Sequence, residues 1–266
     1  MKFEKKLVLI TGGASGIGKI MARLFLQRNA VVVLWDINSA LLKNSVADLV
    51  PIGNVYGNVV DISDPESITV AANRLKVEHG VPDILINNAG IVIGKYFHEH
   101  VTTDILKTMD VNASAPMLVA NAFLKEMMDR NSGSICTIAS SAGLISNPKM
   151  SVYAASKWAA VGWSDSLRLE LNQLNKNIQV TTIMPYYINT GMFDGVQSRL
   201  PILDPEVAAH TIVKAIEKGK KLVTLPGYIY RVTRLGQALM PMKMFDWFVG
   251  SVLGIYKTME HFIGRK

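Results

Sequence analysis

Short apolar runs alternate with stretches of helical periodicity along most of the chain, and this alternation leaves few folds open. The apolar runs fall at Lys5 to Thr11, Val31 to Trp35, Val55 to Val60, Asp83 to Ile86, Ile135 to Ala139, Ile178 to Met184 and Leu222 to Leu225. Short runs of this kind read as strands buried on both faces. Helical patterns lie between them at Ile17 to Arg28, Ser39 to Leu49, Thr103 to Met128 and Val152 to Leu174. Two more begin at Asp64-Pro65 and Asp204-Pro205, where an N-cap acid precedes a proline at the first helical position, and run to about His79 and Lys218. Strands joined through helices pair in parallel by right-handed crossovers. The expectation is an α/β fold with a doubly wound parallel sheet of about seven strands. No repeat or low-complexity linker interrupts residues 1–226, which are expected to form one domain, with 227–266 as a C-terminal tail.

In a doubly wound sheet, ligands sit beyond the carboxyl ends of the strands. The first strand ends in TGGASGIG, residues 11–18, and a helix follows. Glycines allow the backbone to approach a diphosphate, and the helix N-terminus offers free N–H groups and the positive end of a dipole. The glycines at Gly12, Gly16 and Gly18 do not fit the G-x-G-x-x-G spacing, although the same turn can serve the same purpose. The second strand ends in Asp36. An acid there accepts hydrogen bonds from a ribose 2′-hydroxyl and repels a 2′-phosphate. No Lys or Arg stands at positions 15 or 37, so NAD is expected over NADP. Other strand ends carry Asp61, Asn87-Asn88-Ala89-Gly90, Ser140 and Pro185, which places every candidate on one sheet edge.

Tyr153 and Lys157 are four residues apart, so on a helix they share a face one turn apart. Ser140 ends an apolar run and would present its hydroxyl to the same point. A phenol with a pKa near ~10 is a poor base at neutral pH. A neighbouring ammonium stabilises the phenolate and brings it closer to the working pH. A serine can hold an alcohol oxygen while the phenol exchanges its proton. The trio suits proton transfer on an alcohol or carbonyl oxygen.

TGGASGIG, Asp36, Asp61, NNAG at 87–90, Asn112, Ser140 and YAASK at 153–157 together resemble the short-chain dehydrogenase/reductase family, over roughly residues 5–225. The resemblance implies a Rossmann-type dehydrogenase without a metal. It implies Tyr153 as acid/base, with Lys157 binding the nicotinamide ribose and lowering the tyrosine pKa. Ser140 would hold the substrate oxygen, and Asn112 would help hold a water that links the lysine to solvent. Gly12, Ser15, Gly16, Ile17 and Gly18 would form the diphosphate turn. Asp61 and Ile62 would contact adenine, Asn88, Ala89 and Gly90 the adenosine side, and Pro185, Ile188 and Thr190 the nicotinamide side. The family usually has Pro-Gly after the sixth strand. Here Tyr186 follows Pro185, which would narrow the nicotinamide or substrate side. LWDIN at 34–38, the loop at 185–191 and the tail are similar to the retinol and 17β-hydroxysteroid dehydrogenase branch, which implies a small lipophilic alcohol/carbonyl substrate and self-association as a homodimer or homotetramer through the helices near 103–128 and 152–174.

The chain carries 28 Lys or Arg and 21 Asp or Glu, and the excess is local. From Lys218 onward there are nine basic residues against Asp246 and Glu260, so the first 217 residues are neutral. The tail mixes these with aromatics and with Met240, Met242, Met244 and Met259. It suits a membrane or lipid surface, a cap over a substrate pocket, or a subunit contact. It is too apolar for nucleic acid, and no binding motif is present. Cys136, the single cysteine, cannot form an intramolecular disulfide and reads as a small buried hydrophobe; cytoplasmic residence, possible at a membrane, is the expectation. No run of ~18 apolar residues suggests a spanning helix. His98 and His100 read as exposed loop residues and not as metal ligands. Two other functions stay open: a 3-oxoacyl-thioester reductase, against which Asp36 argues, and an idle nucleotide-binding scaffold or lipid-surface protein.

Overall fold

The computed structural model describes residues 2–264; the last two positions of the tail, Arg265 and Lys266, lie outside them. Seven parallel strands form one sheet: β1 (Leu7–Thr11), β2 (Val31–Asp36), β3 (Val55–Val59), β4 (Ile84–Asn87), β5 (Gly133–Ile138), β6 (Ile178–Pro185) and β7 (Leu222–Leu225). Their spatial order is β3-β2-β1-β4-β5-β6-β7. The chain winds outward in one direction from β1 and then in the other from β4. The crevice between those two strands is the switch point where a ligand is expected.

Alternation along each strand divides the core in two. Val8, Ile10, Val32 and Leu34 point to one face and pack with helices α1 (Gly16–Leu26), α2 (Ser39–Leu49) and α7 (Pro205–Glu217). Leu7, Leu9, Val33 and Trp35 point to the other and pack with α3 (Pro65–Glu78), α5 (Ala115–Asp129) and α6 (Ser151–Gln173). Phe123 of α5 is fully buried there, its ring centroid 6.1 Å from that of Trp35. The expected N-caps form: Asp64 accepts from the Glu66 N–H, and Asp204 from the Val207 N–H. Cys136 is fully buried in β5, and burial pushes its thiol up.

The long helix expected over 103–128 is interrupted. Helix α4 (Thr102–Met109) leads into a π turn, Asp110–Ser114, before α5. The Ala115 N–H donates to the Asp110 carbonyl, and Pro116 has no N–H to offer to Asn112 four residues back. A widened turn accommodates both facts, and it holds Asn112. His98 is exposed as expected, but His100 is not: its ring is fully buried, with Nδ1 3.8 Å from the Asp104 carboxylate and Phe97 beside it. The turn Phe97–Glu99 folds the ring inward, a local detail that periodicity cannot report.

The tail forms α8 (Ile229–Leu239) and α9 (Met242–Trp247), then short turns at Phe248–Val252 and Ile255–Lys257. No described helix is long and apolar enough to cross a membrane.

Phe123→Ala empties the centre of the second core layer. It is expected to lower unfolding stability by about 3–5 kcal/mol, read from a urea titration; a loss below about 1 kcal/mol would contradict this packing.

Candidate active site

A cleft of ≈ 390 Å³ runs along the carboxyl ends of the strands. It is lined by Gly12, Ser15, Gly16, Ile17, Asp36, Asp61, Ile62, Asn88, Ala89, Gly90, Pro185, Ile188 and Thr190, and at its other end by Ser140, Tyr153 and Lys157. Two of the sequence candidates stand behind its wall. Gly18 packs under the glycine turn, where a Cβ would collide with the Gly12 carbonyl oxygen. Asn112 sits behind Gly90: a methyl group on Gly90 would be 3.1 Å from its Oδ1 and 3.6 Å from Lys157 Nζ.

Hydrogen bonds between loops fix the cleft. The Thr11 hydroxyl accepts from the N–H groups of Asn88 and Ala89, each at 3.1 Å. The Asn88 amide donates to the Thr11 and Gly12 carbonyls at 2.9 and 3.0 Å. The ends of β1 and β4 are thus tied together at the switch point. Asn88 serves the glycine turn with its side chain and lines the cleft beside it. Asp36 accepts from the Ala14 N–H at 3.0 Å and from the Asn38 N–H at 3.0 Å, which holds its carboxylate at the cleft wall. Asp61 accepts from the Ser63 N–H and hydroxyl at 2.9 and 2.6 Å.

At the far end the polar groups are buried. Ser140 accepts from the Ala142 N–H at 3.1 Å, which orients its hydroxyl. The Lys157 ammonium donates to the Ile138 carbonyl at 3.1 Å and stands 5.7 Å from the Tyr153 ring centroid. Desolvation lowers the Lys157 pKa to about 8. The same burial pushes the Tyr153 phenol well above its ordinary value, and its hydrogen bond with Ser140 works in the opposite direction. In this geometry burial, rather than the lysine, sets the direction of the tyrosine shift. Asn112 donates to the Ile91 carbonyl and to Ser156 Oγ and accepts from the Ile91 N–H. Its amide clamps the chain after Gly90 to α6, the helix that carries Tyr153 and Lys157.

Tyr186 was visible in the sequence as the large residue after Pro185, whereas the other additional lining residues had no local signal. Tyr186 lies between the cleft and a second, apolar cavity of ≈ 150 Å³, and its hydroxyl is 2.9 Å from Ser198 Oγ. Ser140, Tyr186 and Phe193 line both spaces, so the two adjoin at these residues. Phe248, Leu253 and Ile255 of the tail line the apolar cavity. Beyond them, Thr258 Oγ1 accepts from the Asn147 amide at 2.9 Å and lies 2.9 Å from the Tyr187 hydroxyl, which straps the tail over the loop. Lys107 also lines the cleft, at a helical position that carried no motif.

A switch-point cleft with a glycine turn, an acid after β2 and a buried Ser-Tyr-Lys group defines a Rossmann-type dinucleotide-dependent oxidoreductase. The family model for short chain dehydrogenases matches residues 6–200. The chain belongs to the short-chain dehydrogenase family, whose members use NAD(P) and act on CH–OH groups, and it is an oxidoreductase of that kind. It is 36% identical over 268 residues to epidermal retinol dehydrogenase 2 of Mus musculus, covering 98% of this chain and 86% of that one. It is 37% identical over 237 residues to estradiol 17-beta-dehydrogenase 11 of Pongo abelii, covering 88% and 79%. A crystal structure of a short chain dehydrogenase/reductase from Burkholderia phymatum in complex with NAD superposes with a TM-score of 0.83 at 24% identity, over 90% of this chain and 95% of that one; it shares the fold.

The lowered Lys157 pKa has a measurable consequence. Between pH 8 and the ordinary lysine value of 10.5, the unfolded chain binds a proton that the folded chain does not, so this group adds stability as pH rises. Cys136 and Tyr153, both pushed up, oppose the trend equally in a lysine variant. Lys157→Met should therefore be the more stable protein at pH 7.5, and its advantage should shrink by about 2 kcal/mol by pH 10. Denaturation of both proteins across that range checks it; a constant difference would contradict the buried amine.

Proposed function

We propose that the protein is an NAD-dependent oxidoreductase that interconverts a lipophilic secondary or allylic alcohol, of retinoid or steroid type, and its carbonyl. The observation that carries this reading is the meeting of the two spaces at Ser140: a cleft lined by the glycine turn and Asp36 on one side and an apolar cavity on the other. Retinol and estradiol dehydrogenases among the relatives support the same substrate class.

The residues present fit the cofactor. The glycine turn packs without side chains against the strand-end loop, since a Cβ on Gly12 would strike Ala89 and one on Gly18 the Gly12 carbonyl, and a buried ammonium faces the cleft where ribose hydroxyls could accept from it. Asp36, fixed by two backbone N–H groups, suits a 2′-hydroxyl and repels a 2′-phosphate. When bound, NAD supplies the hydride acceptor. Ser140 holds the substrate oxygen. Tyr153 takes the hydroxyl proton in oxidation and returns it in reduction. Its raised pKa keeps the proton on the phenol, which suits the reductive direction at neutral pH. The charged form of Lys157 stabilises the phenolate needed for oxidation. Asn112 positions α6 against the loop after Gly90. Tyr186 narrows the passage between the two spaces. Exposed Leu118, Trp158 and Leu169 on α5 and α6 suit self-association, and the tail suits a lipid surface.

Tyr153→Phe removes the proton carrier and leaves the cleft intact. Turnover should fall by at least about 10³-fold with NAD affinity within a few fold of wild type by fluorescence titration; ordinary turnover would sink the assignment. Asp36→Ala should weaken NAD and improve NADP, so that their kcat/KM ratio shifts toward NADP by about tenfold or more, worth ~1.4 kcal/mol; an unchanged ratio would remove Asp36 from cofactor choice.

A further inference from the structure

Helix α8 carries two stripes. Ile229 and Thr233 are buried against the domain, and the Gln237 amide donates to the Leu144 carbonyl at 2.9 Å. A separate stripe at Tyr228, Val232, Leu235 and Leu239 repeats every three to four residues and is 52%, 54%, 60% and 72% exposed. No described residue covers it. Gly236 lets the Phe245 ring of α9 pack close, and that helix extends the apolar surface with Met242, 80% exposed, and Trp247, 61% exposed. Exposed Arg231, Arg234 and Lys243 flank the surface, and α8 has no acid. Asp246, the nearest acid in sequence, accepts from the Tyr256 hydroxyl at 2.7 Å.

The same surface reaches the substrate cavity. Tyr228 and Val232 belong to the exposed stripe and also line the apolar cavity that ends at Ser140. The cavity therefore opens within the apolar face.

We propose that the α8–α9 face docks on an anionic lipid surface and that the apolar cavity opens directly into that surface, so that a lipophilic alcohol enters from lipid. The entry route rests on the substrate class proposed above; the docking does not. Charge selects the occupant. The net positive charge of the chain is concentrated from Lys218 onward, so two copies meeting through this face would bring like charges together, whereas anionic headgroups would neutralise them. An amphipathic helix with Trp and Leu on one face and Arg or Lys at its flank suits the headgroup boundary.

The test uses the full chain and vesicle flotation. Wild type should float with phosphatidylcholine vesicles that contain phosphatidylserine, less with pure phosphatidylcholine, and less at high salt. Leu235→Glu/Leu239→Glu changes two exposed positions outside the cavity lining. It should lower partitioning at least about tenfold and leave turnover of a water-soluble secondary alcohol unchanged. It should also lower turnover of a long-chain alcohol presented in vesicles. Arg231→Glu/Arg234→Glu should lose the preference for phosphatidylserine. A wild type that stays unbound with both vesicles overturns the docking. So does a face whose glutamates dissolve a dimer without altering flotation. Flotation needs no turnover, so a protein that floats yet oxidises no alcohol would refute the catalytic reading alone. Equal loss of activity on soluble and vesicle-borne alcohol would refute the entry route alone.

Discussion

The site depends on a cation carried into the interior. Lys157 is almost fully buried, and one of its protons goes to the Ile138 carbonyl at the end of β5. Burial of an amine costs stability unless partners offset it. The lowered pKa is the measure of that cost, and the Tyr153 shift is its counterpart for a group that loses charge when protonated. A fold selected for stability alone has no need of this pair. Here it stands where the strands end, beside a hydroxyl already oriented by the Ala142 N–H.

The sheet makes this arrangement possible. Parallel strands bring all their carboxyl ends to one edge, and reversal of winding between β1 and β4 opens a crevice there. The tie between Thr11 and Asn88 closes the floor of that crevice, and Asn112 joins its rim to α6. Cofactor-side and substrate-side residues come from distant parts of the chain, yet Asp36, Asp61, Asn88, Ser140 and Lys157 are each held by backbone groups at a strand end or in the turn after one. Charge then sorts the two halves: carboxylates at the β2 and β3 end, an ammonium and a phenol at the β5 end.

Much of this was legible in the sequence. Strand runs, N-caps at Asp64 and Asp204, the glycine turn and the four-residue spacing of Tyr153 and Lys157 are local signals, and each appears in the structure at or near its expected place. What escaped was long-range or depended on one backbone detail. The π turn at Asp110–Ser114 hides within helical periodicity, although Pro116, four residues past Asn112, was a usable signal. The inward turn of His100 follows from a single 3₁₀ turn. The strap from Thr258 to Asn147 joins residues 111 apart, and no pattern at either end announces it. The apolar cavity is built the same way, from the Tyr186 loop and the tail, so its shape emerges only when the two meet. Asn88 and Gly18 were legible as members of the site, but their contacts show them supporting the turn from behind or beside it.

The most direct test of the account is a cofactor-resolved activity screen. Reduced nicotinamide absorbance would be followed with NAD and with NADP against retinoids, steroids, 3-oxoacyl thioesters and simple secondary alcohols. Turnover with NAD on a lipophilic alcohol is expected, at a higher kcat/KM than for a small soluble one. Turnover confined to NADP(H) on an acyl thioester, or tight NAD binding with no turnover on any substrate, would contradict it.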